Sequence, residues 1–168
     1  TRSSESAMRF DGCRMQRTIT ALKVQKNNSN RVNVYLDGEF SFGLYLINAR
    51  NLSIGMELPE EYVQKLLEID QIEDGFQKCL RYISYKPRTK FEINKKLKEK
   101  NFSADQIDVI TSMLHEKGYI DDFQYAKNWI ENRAILKPRS NKLIAWELRN
   151  KKISDEIINQ LTTEMVSE

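Results

Sequence analysis

The sequence predicts a mainly α-helical protein of tandem three-helix repeats, two of which are present, preceded by a small antiparallel β meander plus a helix. A recurring segment indicates the repeats, because residues 86–89 read KPRT and residues 137–140 read KPRS. The likeness continues at a constant offset of 51 positions, which pairs Ile93 with Ile144 and Leu97 with Leu148. Three short runs near the N-terminus, in which apolar and polar residues alternate, indicate the meander.

These patterns divide the chain into four parts. We expect a disordered or expression-derived N-terminus at 1–16, the β meander and helix at 17–72, repeat one at 73–119 and repeat two at 120–168. Phe76 and Phe123 begin a second likeness, at an offset of 47 positions. The second repeat therefore needs four more residues, about one helical turn, to reach its KPR segment, and a longer first helix is expected there.

The meander is predicted from three alternating runs. A polar turn is expected over 27–30, and Asp37-Gly38 favours a tight hairpin because both turn residues need positive φ. Such a sheet needs a helix against its apolar face, either near 45–52 or in a helix that begins after Pro59. The predicted apolar face consists of Leu22, Val24, Val32, Val34, Leu36, Phe40, Phe42 and Leu44.

Each repeat is predicted to contain three helices. In repeat one these cover about 73–84, 89–100 and 103–117, and Gly118 ends the third. The predicted apolar positions include Phe91 in the first repeat and Ala134 and Met165 in the second. The predicted N-caps are Thr89, Ser103, Asp121 or Asp122, Ser140 and Ser154.

Basic residues are concentrated in the repeats. The net charge is only +3, and residues 1–72 carry equal numbers of acids and bases, so the excess lies downstream. The second helix of each repeat is rich in lysine and arginine, which is typical either of a solvated face or of a strip that contacts phosphates or an acidic protein. The predicted partner- or DNA-binding residues are Lys86, Arg88, Lys95, Lys98, Arg139, Lys142 and Arg149, with Trp129 and Arg133 as a second-rank aromatic–cation anchor.

The sequence contains no recognisable catalytic or metal-binding motif, so we predict a binding protein without enzymatic activity, cofactor or metal. Its one histidine, His115, falls late in a predicted helix, and no Gly-rich phosphate loop or Cys/His metal spacing occurs. Two cysteines, Cys13 and Cys79, are too few for a disulfide framework, and Cys79 has the spacing of a core thiol. A soluble, cytoplasmic monomer is expected, since no apolar run approaches the roughly 20 residues that span a bilayer.

The junction between the repeats carries a family resemblance. Residues 118–126 read GYIDDFQYA and are followed by Arg133, and Glu147-Leu148 lies in the second helix of repeat two. In these features the chain resembles the RecX family, bacterial regulators of the RecA recombinase. Lys96-Leu97 departs from the family's Glu-Leu pair, and Asn101 and Lys152 replace the glycine that usually follows the second helix of each unit.

This resemblance implies tandem three-helix repeats that lie in the groove of the RecA–DNA filament. It implies inhibition of strand exchange, ATP hydrolysis and co-protease activity, hence a part in homologous recombination, DNA repair and the SOS response, with some direct affinity for single- or double-stranded DNA. Such proteins usually carry three repeats, and a missing repeat would weaken multivalent binding. The alternatives are a helix-turn-helix-like nucleic-acid-binding protein acting without RecA, and a scaffold for another protein partner.

Overall fold

The structure is a computed structural model that describes residues 16–136 and 140–166. It is mainly helical, with a small antiparallel sheet at the N-terminus, as predicted. The chain forms two compact units, one ending at Asp74 and the other beginning at Gly75.

The first unit contains four antiparallel strands in the order β3-β2-β1-β4. They are β1 (Arg17–Gln25), β2 (Asn28–Leu36), β3 (Glu39–Tyr45) and β4 (Glu57–Leu58), and β3 leads into a short helix α1 (Leu46–Ala49). The apolar face of the sheet forms one buried cluster with Val63 and Leu66 of the following helix. The helix after Pro59 therefore covers the sheet, in agreement with one of the two predicted candidates.

Two apolar residues of the meander lie on the wrong side for the predicted core. Phe40 is 58% exposed because the register of the β2–β3 pair shifts after Val34, so Phe40 pairs with Tyr35 and their rings meet edge to face at 5.9 Å. A bulge of this kind inserts one residue and reverses the side to which its neighbours point. Val24 is exposed as well, and the first turn comes earlier than predicted, since Asn28 already belongs to β2.

The helix α2 (Glu60–Tyr85) is one continuous helix of 26 residues, whereas the sequence pattern predicted two separate ones. No proline interrupts it, and its acidic first turn complements the helix dipole. Buried Asp70 connects the sheet to this helix, because its carboxylate accepts hydrogen bonds from Tyr45 N at 2.8 Å and from Asn48 Nδ2 at 3.0 Å. Arg31 adds an ion pair at 3.5 Å.

The second unit continues with five helices. They are α3 (Lys90–Glu99), α4 (Ala104–Glu116), α5 (Asp122–Leu136), α6 (Asn141–Asn150) and α7 (Asp155–Val166). Thr89 and Ser103 each form a capping box, whereas Ser140 only accepts a hydrogen bond from Leu143 N. Asp121, rather than Asp122, caps α5, since its Oδ1 accepts from Gln124 N at 3.0 Å.

Equivalent positions of the two repeats are buried in the same way. Ile93, Leu97 and Ile110 are fully buried in repeat one, and their counterparts Ile144, Leu148 and Leu161 are buried in repeat two. Two predicted apolar positions are wrong: Phe91 and Ala134 lie at the surface. The side chain of Met165 lies outside the described residues.

Asn101 and Lys152, which stand where the resemblance implies a glycine, adopt the conformation that favours glycine. Asn101 has φ of +66° and Lys152 has φ of +61°. Each follows a helix end at which the next amide bonds back to the helix, Phe102 N to Leu97 O and Ile153 N to Leu148 O, both at 3.1 Å. A left-handed residue just past a helix is what this type of termination requires.

Gly75, inside α2, is required for a different reason. A Cβ added at this position would overlap the Cδ1 atom of Ile110 and come within 3.0 Å of the Phe102 ring. The glycine therefore lets α2 approach the helix pair α3–α4 more closely than any other residue would allow.

Candidate partner-binding surface

The predicted contact lysines are all exposed. Lys86 precedes α3, Lys95 and Lys98 lie on α3, and Lys142 lies in the first turn of α6. Within 16–136 and 140–166, none of these four ammonium groups forms an ion pair. Arg139 lies outside the described residues.

Arg88 is half-buried and engaged with its own repeat. Its guanidinium lies 3.7 Å from the centre of the Tyr82 ring, and its Nε donates to Tyr82 O at 3.3 Å. Lys96 approaches the same ring, with Nζ 5.1 Å from its centre. Tyr82 is therefore an aromatic platform that carries two cations.

Trp129 and Arg133 belong to an internal network of repeat two. Glu147 connects them, because its carboxylate accepts a hydrogen bond from Trp129 Nε1 at 2.8 Å and forms an ion pair with Arg133 Nε at 3.4 Å. The Trp129 ring also stacks on Tyr125 and carries the cations of Arg133 and Lys151, at 4.6 and 5.0 Å from its centre. The network holds α5 against α6, so Trp129 is half-buried rather than projecting into solvent.

The surface of α6 carries an aromatic residue that the sequence pattern did not single out. Trp146 is 60% exposed and lies on the same helical face as Lys142 and Arg149, four residues before and three after it. Arg149 Nε is bonded to Asp155 Oδ1 at 2.8 Å, but both side chains stay largely exposed. The spacing of a basic residue, tryptophan and a second basic residue is the signal that would have revealed this face.

A cavity of about 360 Å³ lies between the two repeats. Three lysines line it, Lys95 and Lys96 of α3 and Lys151 of repeat two, together with the aromatic rings of Tyr82 and Phe91. The remaining lining residues are Asn150 and two acids, Glu92 and Glu99.

Lys86 and Arg88 line a second, shallower hollow of about 520 Å³, together with exposed Tyr85 and Tyr119. Asp121 lines this hollow, and the next residue, Asp122, accepts a hydrogen bond from Lys90 N at 2.9 Å, which links repeat two to the start of α3. Burial raises the pKa of Asp122 above its usual value, and the hydrogen bond from Lys90 only partly offsets this.

The residues with reactive chemistry lie apart from these cavities. Cys79 is fully buried, and the loss of solvent raises the pKa of its thiol to about 11. His115 is exposed in the last turn of α4. In the part of the chain that the structure describes, no cluster of three or more His, Cys, Asp or Glu residues is arranged to hold a metal ion, and no helix is long and apolar enough to cross a membrane.

Comparison with known proteins assigns these units to a family. The family models of the regulatory protein RecX N-terminal domain, the RecX first three-helix domain and the RecX second three-helix domain match residues 17–59, 76–110 and 121–161. A regulatory protein RecX of Clostridium acetobutylicum is 32% identical over 147 residues, which cover 86% of this chain and 68% of that protein. The chain belongs to the RecX family.

Other RecX relatives are longer. The regulatory protein RecX of Bacillus licheniformis is 32% identical over 84% of this chain, and that of Leuconostoc mesenteroides is 27% identical over 89%. The chain spans only 55% and 57% of their lengths. All these relatives are named regulatory proteins rather than enzymes.

Solved RecX structures show the same fold. A crystal structure of regulatory protein RecX superposes with a TM-score of 0.79 at 28% identity, over 89% of this chain and 74% of that one. RecX from Lactobacillus salivarius superposes with a TM-score of 0.53 at 29% identity, over 55% of this chain and 60% of that one. The predicted tandem three-helix architecture is thereby confirmed.

Proposed function

We propose that this RecX-family chain is a non-enzymatic inhibitor of the RecA recombinase. It binds in the groove of the RecA–DNA filament and suppresses the ATPase, strand-exchange and co-protease activities of RecA. The succession of the three RecX domain models along the chain carries this proposal.

The distribution of exposed cations supports a partner that itself repeats. Lys98 on α3 corresponds to Arg149 on α6 at the offset of 51 positions, and both side chains are exposed. Two equivalent basic helices can contact two equivalent sites, and each contact raises the effective concentration of the next. Lys86, Lys95 and Lys142 belong to the same proposed surface, Arg139 is proposed for it on the sequence pattern alone, and Arg88, Trp129 and Arg133 support it from within the repeats.

An ATPase titration tests the proposal. RecA is assembled on single-stranded DNA, this protein is added in increasing amounts, and ATP hydrolysis is followed at constant salt. We expect a dose-dependent loss of ATPase activity. An unchanged rate at several-fold molar excess would show that the chain does not inhibit RecA.

Charge reversal on the two equivalent helices tests the surface. The double variant Lys98→Glu/Arg149→Glu should inhibit at least about tenfold less well, because rim charges govern encounter and register. It should stay folded, since losing the exposed pair of Arg149 with Asp155 costs less than about 1 kcal/mol. Lys26→Glu/Lys65→Glu, at two exposed lysines of the first unit, is the matched control with the same change in net charge. Equal loss of inhibition in both variants would refute a localised surface.

A nucleic-acid-binding protein that acts without RecA is the second candidate, favoured by exposed Trp146 between Lys142 and Arg149. Aromatic rings beside cations bind single strands by stacking on the bases and pairing with the phosphates. This function predicts tight binding to single-stranded DNA alone, with the logarithm of the binding constant falling steeply with the logarithm of salt. Trp146→Ala should then weaken DNA binding while leaving unfolding unchanged. If Trp146→Ala binds DNA as well as the wild type, this candidate loses its support.

A further inference from the structure

Each of the two repeats contains an aromatic–cation cluster, and the rings at the centre of the clusters occupy corresponding positions. Tyr82 of repeat one corresponds to Trp129 of repeat two at the offset of 47 positions that also pairs Phe76 with Phe123. Each ring carries one arginine and one lysine: Arg88 and Lys96 lie at 3.7 and 5.1 Å from the centre of the Tyr82 ring. The cations at Trp129 come from non-corresponding positions, so the two clusters share a type of arrangement rather than each residue.

At one pair of corresponding positions beside the two rings the charge is reversed. Glu147 of α6 occupies the position that Lys96 holds on α3, at the offset of 51 residues. In repeat two the Glu147 carboxylate lies between Trp129 Nε1 and Arg133 Nε and offsets one of the two positive charges of the cluster. In repeat one the corresponding side chain is itself a cation, so the cluster at Tyr82 carries two positive charges.

Space and further positive charge lie next to this cluster. The cavity of about 360 Å³ is lined by Tyr82 and Lys96 and by two more lysines, Lys95 and Lys151. Of its two acids, Glu92 already accepts a hydrogen bond from Thr89 N in the capping box. The site at Tyr82 therefore has the volume and the charge to accept an anionic group from outside.

We propose that this site binds a carboxylate side chain of an acidic protein segment, which takes the role in repeat one that Glu147 plays in repeat two. The proposal rests on the proposed function in requiring a protein partner. We refer to Tyr82, Arg88, Lys96 and the cavity beside them as the Tyr82 site. Lys96 is its specificity-determining residue, because its charge decides whether the site is open or already neutralised.

A carboxylate fits the Tyr82 site better than a nucleic-acid backbone does. The equivalent cluster of the same chain already holds a carboxylate between an aromatic ring and an arginine. Glu92 and Glu99 line the cavity, and they would repel a strand that carries one charge per nucleotide more strongly than a single side chain. An acidic segment with its charges spaced apart can insert one carboxylate while the others remain in solvent.

Peptide binding to two lysine variants tests this inference. A short fluorescein-labelled peptide of alternating Glu and Ser is titrated with the wild type, Lys96→Glu and Lys65→Glu at about 0.15 M salt, where charges more than about 8 Å apart are largely screened, and anisotropy is measured. Lys96→Glu supplies the carboxylate internally, so we expect it to weaken peptide binding by about tenfold or more, which equals about 1.4 kcal/mol. Lys65→Glu makes the same change of charge at an exposed lysine outside the residues that line the cavity, and it should bind within about twofold of the wild type.

A further variant and two further ligands distinguish the possible explanations. Lys96→Gln removes the cation without adding an acid and should weaken binding less than Lys96→Glu, and thermal unfolding of each variant verifies folding. A peptide with Gln in place of Glu should not bind. Equal losses for Lys96→Glu and Lys65→Glu would indicate diffuse attraction and overturn the site. Binding of a thymidine oligonucleotide but not of the acidic peptide, lost in Lys96→Glu, would assign it to phosphate and overturn the proposal. The assay contains no recombinase, so its result is separate from that of the ATPase titration.

Discussion

Replacing Glu147 by alanine removes the acceptor that joins α5 to α6. The carboxylate is only 10% exposed, and it accepts from Trp129 Nε1 at 2.8 Å while pairing with Arg133 Nε at 3.4 Å. Without it, the half-buried indole N–H loses this charged partner, and Arg133 loses its ion pair while it keeps its contact with the Trp129 ring. We therefore expect Glu147→Ala to be clearly destabilising although the residue lies on a polar helix.

The magnitude follows from the two interactions. A hydrogen bond to a charged acceptor contributes about 1.5–3 kcal/mol when one partner is removed. The ion pair with Arg133, whose side chain is 32% exposed, adds about 0.5 kcal/mol after solvent screening. Glu147→Ala should therefore lower the free energy of unfolding by about 2–3.5 kcal/mol. Glu147→Gln keeps an oxygen for the Trp129 donor and should cost about 1 kcal/mol or less.

Urea unfolding followed by tryptophan fluorescence measures this difference, because both tryptophans of the chain belong to repeat two. Lys96→Ala is the matched control: it truncates the equivalent position of repeat one, which has no carboxylate, and should change stability by less than about 0.5 kcal/mol. If Glu147→Ala unfolds like the wild type, or if Glu147→Gln is as damaging as Glu147→Ala, the bridging role of the carboxylate is refuted.

Three other positions provide independent tests. Lys152→Gly should raise the free energy of unfolding by about 0.5–1 kcal/mol, since relief of the strain of the left-handed backbone exceeds the entropy cost of glycine. Urea unfolding of the variant and the wild type measures whether the free energy of unfolding rises. Gly75→Ala should lower it by about 1–2 kcal/mol, because overpacking in a closed helix contact outweighs the gain in helix propensity; a more stable variant would contradict this. In a Cys13→Ser background, Cys79 should stay unlabelled by a thiol reagent at pH 8 until urea unfolds the chain, because its pKa of about 11 keeps the thiol protonated and burial blocks access. Since the usual thiol pKa is 9.0, the stability contributed by this protonated thiol should fall as pH rises from about 9 to 11.

Several features of the fold could be predicted because their signals are local. Thr89 and Ser103 cap helices through a residue three positions later, and Asp37-Gly38 forms its turn from its own backbone preferences. The repeated core positions could be read from the sequence because Leu97 and Leu148 have the same spacing from the other apolar residues of their helices. Such interactions lie within a few residues of each other, so their residue types are sufficient evidence.

The features that the sequence did not predict depend on contacts with residues far away in the chain. Phe40 is directed outward by a register shift that depends on the partner strand, and the alternating pattern of its own strand contains no sign of it. The continuity of α2 was missed because polar residues near Asp70 interrupt its apolar spacing, yet Asp70 is buried by hydrogen bonds from residues more than twenty positions away. Gly75 has no signal in its own sequence neighbourhood, because the side chain of Ile110 on α4 is what leaves no room for a Cβ there.

The candidate partner-binding surface also has some features that are set by the local sequence and others that are set by tertiary contacts. The sequence by itself determined the family, the repeat of three-helix units and the exposed lysines on α3 and α6, because composition and spacing survive without coordinates. Only the tertiary structure decided that Arg88, Trp129 and Arg133 contact residues of their own repeats. Only the structure, too, places Lys96 beside the Tyr82 ring and Glu147 beside the Trp129 ring. These pairings join separate helices, and whether a charge is neutralised or available depends on the distance between atoms that the folded chain alone brings together.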